Sequence, residues 1–156
     1  MHLSPATVRR LSYAEGYLML GLAKQAAEEL ADVPPEENEA LPVLKLRLGL
    51  ELARAAWVAA AGLARDLCER EPRDASHWIQ RAYATRRGDS LAAAREILWR
   101  GLTLHAREAT IHFNLACYEA QLGHLDIARA YLAGSVRLDP SFAELARTDP
   151  DLAPLR

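Results

Sequence analysis

The chain has 156 residues, long enough for one continuous core or a short solenoid of stacked units. Apolar residues make up 51% of it, with alanine and leucine dominant, a helix-forming composition that folds unaided. A formal net charge of −2 excludes a general pull toward nucleic acid or an anionic membrane. The two cysteines, Cys68 and Cys117, form no CxxC pair or disulfide framework and read as reduced, buried thiols of a cytoplasmic protein.

Ser4-Pro5 reads as a helix cap followed by proline at the first helical position, and opens a helix to about Met19. The apolar patch Tyr17–Ala23 is too short, and too closely flanked by Glu15 and Lys24, for a leader or a membrane span. Gly21 marks a turn, and a second helix runs from Leu22 to about Asp32, where Pro34-Pro35 stops it. Glu36, Glu37 and Glu39 are expected in the linker or the first turn of the next helix, complementing its dipole. Leu41–Leu52 alternates enough to suggest a strand, but its register with the rest of the chain predicts a helix. The following turn, residues 53–56, has no glycine.

Trp57 starts a helix to about Arg70, closed by Glu71-Pro72. The next pair spans Asp74 to about Leu104, with Arg86-Arg87-Gly88-Asp89 as its turn. The last pair carries Ile111 and Leu115 before the turn at Gly123, and ends at Leu138-Asp139-Pro140. Beyond it, Ser141 and Glu144 fit a capping box, and Phe142, Leu145, Leu152 and Leu155 are expected to cover the last unit's exposed stacking face. Trp57 and Trp78 fall at core positions. Trp99 faces outward or into a contact between units, where an exposed tryptophan would anchor a partner or a second copy.

One spacing organises all of this. Ala26, Ala60, Ala94 and Ala128 are 34 residues apart, and Leu30, Ala64, Leu98 and Leu132 follow each by four. Ala14, Leu48, Ala82 and Ala116 precede each by twelve. Three columns in one register describe a helix–turn–helix unit repeated four times. The expected architecture is all-α: nine helices in a right-handed α-α superhelix, eight paired and one capping. It forms a single domain over residues 1–156, with units at about 7–38, 39–74, 75–108 and 109–140 and a cap at 141–156.

The residues resemble the tetratricopeptide repeat family. The last unit supplies Leu115, Ala116, Gly123, Ala128, Leu132 and Pro140 of its pattern, the third Trp78, Ala82, Ala94 and Leu98, and the second Ala60, Ala64 and Pro72. The first unit supplies Ala14, Gly21, Ala26 and Leu30. Similar proteins are scaffolds and co-chaperones that hold peptides in a concave groove lined by the first helix of each repeat. The resemblance therefore implies a non-enzymatic, cytoplasmic protein- or peptide-binding adaptor. The alternative is a bacterial secretion chaperone on a similar scaffold, and an enzyme is a minor third reading. Carried onto this chain, the groove comprises Lys45, Ile79, Tyr83, Arg86, Arg87, Phe113, Asn114, Cys117 and Gln121. Leu11 and Glu15 extend it at its N-terminal end.

Arginine beside flat aromatic surface suits an acidic segment with a large apolar residue. The competing reading leaves Arg86 and Arg87 as solvated helix-end charges. Lys45 and Asn114 only partly echo the carboxylate clamp of chaperone-binding members, and they lie two repeats apart. The sequence holds no HExxH and no glycine-rich phosphate loop. His77 and His105 are expected as caps or surface residues, and a zinc site from His112, Cys117 and His124 is disfavoured. Neither cofactor nor metal is expected.

Overall fold

The computed structural model describes residues 2–156; Met1, part of the predicted domain, lies outside them. The described residues form nine α-helices: α1 (Pro5–Met19), α2 (Ala23–Ala31), α3 (Leu41–Ala53), α4 (Trp57–Arg70), α5 (Ala75–Gly88), α6 (Leu91–Leu104), α7 (Ala109–Gln121), α8 (Leu125–Leu138) and α9 (Phe142–Thr148). Single 3-10 segments, Pro35–Glu37 and Pro150–Leu155, lie between α2 and α3 and after α9. Helices α1 to α8 pair in sequence, and the pairs stack on one another into a superhelical arrangement.

The sequence columns are packing points, with the third, Leu30, Ala64, Leu98 and Leu132, buried except at half-buried Leu132. Ala26, Ala60, Ala94 and Ala128 are fully buried, as are Ala14, Ala82 and Ala116, and Leu48 is almost so. A methyl group at these positions lets two helix backbones approach closely, which is why a side chain this small is kept in contacts this dry. Apolar burial is divided among neighbours. One cluster joins α1, α2 and α3, a second α3, α4 and Ala84, and the largest fills units three and four.

Local signals set the helix ends. Ser4 accepts the Thr7 N–H, with Pro5 at the first helical position, as read from the sequence. Asp74, Ser90 and Glu108 cap α5, α6 and α7 in the same manner. The turns of units one and four use left-handed glycines, Gly21 (φ 73°) and Gly123 (φ 84°). Unit two has alanine at the equivalent position, and Ala55 is itself left-handed, at φ 56°. Gly88 serves a different need: a Cβ there would lie 2.8 Å from Cβ of Trp57.

Three expectations are corrected. Ser141 forms no capping box: its backbone is helical, its side chain caps nothing, and Asp139 instead accepts the Ser141 N–H at 2.9 Å. Glu37 does not serve the following helix. It reaches back to accept the Ser4 N–H at 2.9 Å, tying the linker to the start of α1, and bonds to Thr7 and Ser4 hold its carboxyl below the usual range. Trp57 is not a core residue; it is half-buried at the start of α4, edge-on to Tyr83 at 5.7 Å.

Candidate peptide-binding groove

The first helices of the four units, α1, α3, α5 and α7, carry the residues that the sequence assigns to the groove. At the N-terminal end, α1 and α3 leave an open depression of about 470 Å³. Leu3, Val8, Leu11 and Leu46 make its apolar lining, and Glu15 and Lys45 line it as well.

Lys45 is engaged. Its ammonium lies 2.7 Å from Glu71, and the same carboxylate oxygen is 2.9 Å from Nε2 of His77. His77 is buried rather than on the surface, because the Glu71-Pro72 turn after α4 folds back over the start of α5. The hydrogen bond from Lys45, then that with His77, holds the Glu71 carboxyl below the ordinary carboxylate range. Glu71, Asp74 and His77 could together offer three ligand atoms to a metal, but Lys45 already neutralises the central carboxylate. His105 is the C-cap of α6, as expected, and joins Nε2 to the Pro72 carbonyl at 2.9 Å.

In the middle of the face, Tyr83 and Arg87 are exposed on α5. The Arg87 guanidinium lies 4.9 Å from the Trp57 ring centre and 5.8 Å from that of Tyr83, so three planar groups from α4 and α5 form one patch. Ile79 is half-buried one turn earlier and packs on the apolar cluster of units three and four.

The C-terminal end is covered by the chain itself. The 3-10 segment Pro150–Leu155 lies against α7. Asp151 pairs with Arg86 through both oxygens, at 2.6 and 3.0 Å, and its backbone carbonyl accepts a hydrogen bond from Nε2 of Gln121 at 2.8 Å. Arg86 is thus no solvated helix-end charge. The bond from Asp151 pushes its guanidinium still further toward the charged form, and it also sits 5.3 Å from the Tyr118 ring centre. Leu152 is 1% exposed and joins the cluster that contains Phe113 and Cys117. Phe113 stacks on Phe142 of α9 at 4.8 Å. Burial pushes the Cys117 thiol up to about 12. Cys117, Asp149 and Asp151 form the second group of potential metal donors among the described residues, and there Arg86 already holds Asp151. Asn114 is half-buried on α7.

Of the predicted groove residues, Arg86, Cys117 and Gln121 therefore converge on segment 149–155, Phe113 packs on Phe142 of α9, Tyr83 and Arg87 face solvent beside Trp57, and Lys45 belongs to a separate polar cluster. Sequence reasoning missed Asp151 as the partner of Arg86. The one available signal was the acidic, apolar composition of Asp149-Pro150-Asp151-Leu152, which matches the ligand class read for the groove.

No family model matches the chain, and no curated protein matches it. The fold matches solved structures. One of these, MamA AMB-1, superposes with a TM-score of 0.70 at 17% identity, over 83% of this chain and 76% of that one. At that identity the likeness is one of fold: an all-α helical-repeat architecture. No helix among the described residues is long and apolar enough to cross a membrane.

Proposed function

We propose that the chain is a non-enzymatic adaptor of the tetratricopeptide type that binds a protein or peptide along the face of its first helices. The observation that carries this reading is the composition of that face. It carries an open apolar depression between α1 and α3 and, separately, exposed Tyr83 and Arg87 against half-buried Trp57 on α4 and α5. Flat aromatic surface with a planar cation favours an extended segment that carries acid next to a large apolar side chain. The polar groups that could serve chemistry are tied to one another instead, Lys45 to Glu71 and His77, and Arg86 to Asp151.

The test is affinity capture from native lysate with the wild-type chain, Tyr83→Ala and Arg87→Glu in parallel, followed by mass spectrometry. Partners of the groove are retained by wild type and lost from both variants. Titration calorimetry with a captured partner then shows a smaller salt dependence for Arg87→Glu. An identical set of captured proteins from all three chains places the binding surface elsewhere.

A further inference from the structure

We propose that segment 149–155 is an internal occupant of the groove, and that this half of the face takes an external peptide of the same chemistry, an Asp-x-Asp-Leu turn, which binds by displacing it. The inference rests on the groove reading above and specifies its ligand.

The contacts are those of peptide recognition rather than of a simple apolar lid. A two-pronged arginine–carboxylate pair reads the Asp151 side chain, a side-chain amide holds the same residue's backbone carbonyl, and a dry apolar site takes the next side chain, Leu152. The polar elements come from two helices, Arg86 from α5 and Gln121 from α7, and the apolar site belongs to the cluster of units three and four. Covering the end of the last unit is a separate task in which α9 shares, since it packs on α8. The segment is also shaped for docking. Asp149 Oδ1 accepts the Asp151 N–H at 2.9 Å, and Pro150 and Pro154 restrict the chain around it, so little freedom is lost on seating. An intramolecular occupant competes at an effective concentration on the order of millimolar. A free peptide of equal chemistry therefore binds the wild-type chain weakly and binds an undocked chain well.

The probe is a fluorescent peptide of residues 148–156, blocked at both ends so that no terminal charge takes part. It is titrated against the full chain and against the full-length double variant Asp151→Lys, Leu152→Ala. Fluorescence anisotropy is expected to show at least tenfold tighter binding to the variant. A peptide carrying Asp151→Asn, or an Arg86→Glu receptor, loses that gain. Thiol labelling gives an independent readout. The Cys117 sulfur lies within 4.8 Å of Asp149 and Asp151, whereas the charged neighbours of Cys68 are Arg81, Glu69 and Asp74, so undocking raises the Cys117 labelling rate more than tenfold at pH 8, leaves Cys68 slow, and is reversed by added peptide.

Should the double variant lose helix, Asp151→Asn removes the charge at constant size. It is expected to raise Cys117 labelling several-fold, while Asp151→Glu does not. A helical variant with wild-type Cys117 labelling, or one that does not bind the peptide, overturns the proposal and leaves the segment a structural cover. Partner capture that still depends on Tyr83 and Arg87 in that case leaves the groove reading standing. Capture indifferent to both removes the parent reading.

Discussion

At the scale of single residues, three of the four units turn through a left-handed residue, while the third turns at Asp89 with φ −136°. Positions 21, 55 and 123 occupy the same place in their units and all have positive φ, yet only the first and last are glycine. The left-handed conformation costs an L-residue about 1–2 kcal/mol, and Ala55 bears that cost in an exposed turn where no side chain compensates. Ala55→Gly is therefore expected to stabilise the chain by about 0.5–1 kcal/mol after the extra freedom of glycine in the unfolded state is subtracted, a rise of about 2 °C in Tm. The neighbouring Ala56→Gly is the control, because Ala56 has φ −82° and glycine there can only lose. If both substitutions move the melt equally, the strain assigned to Ala55 is absent. The missing glycine of this turn was readable in the sequence. That alanine would adopt the glycine conformation unchanged was not, because helix pairing on both sides dictates the turn and overrides local preference.

At the scale of elements, helix pairing follows the 34-residue register, while the polar ties that supplement the apolar packing between pairs were not legible. The buried alanines and leucines state which face of each helix points inward. Nothing in the spacing says that Glu37 turns back to the Ser4 N–H, or that Glu71 folds over α5 to meet Lys45 and His77. Such contacts depend on the path of a linker between helices, which Pro34-Pro35 and Pro72 mark without specifying. The Glu71 cluster joins α3 to α5 and carries a pH signature. Its carboxyl is held below 4.5, the ordinary value, so the group stabilises the fold above about that pH. The contribution is lost as pH falls through the lowered folded-state value. In thermal melts Glu71→Gln is expected to lower Tm at pH 7, and the gap to wild type should close as the pH is taken well below 4.5. A gap that is constant with pH would mean that Glu71 acts through its shape rather than its charge.

At the scale of the whole molecule, the apolar clusters connect neighbours only, and the largest lies in units three and four, where segment 149–155 closes it through Leu152. The architecture and the seating of Leu152 and Leu155 could be read from hydrophobic pattern alone. The choice of α5 and α7 as the place where the segment lies could not, since it is decided by Arg86 and Asp151, which are 65 residues apart in sequence. The depth of this packing sets the behaviour of the chain in alkali. Burial raises the Cys68 thiol from 9.0 to about 11, the Cys117 thiol to about 12, and the Tyr118 hydroxyl from 10.0 to about 12. In the unfolded chain these groups ionise at their ordinary values, whereas in the fold they stay protonated for another two to three pH units. The unfolded state then binds fewer protons, so stability is complete below pH 9 and falls as pH rises toward the folded-state values, by at most about 1.4 kcal/mol per pH unit for each group. The expected result is a Tm that drops steadily between pH 8.5 and 10.5 in wild type. Cys68→Ala and Cys117→Ala each start lower at pH 8 because a buried side chain has been shortened, but each loses less on going to pH 10.5. Equal slopes in all three proteins would show that other groups drive the alkaline loss and that both thiols reach solvent in the native state.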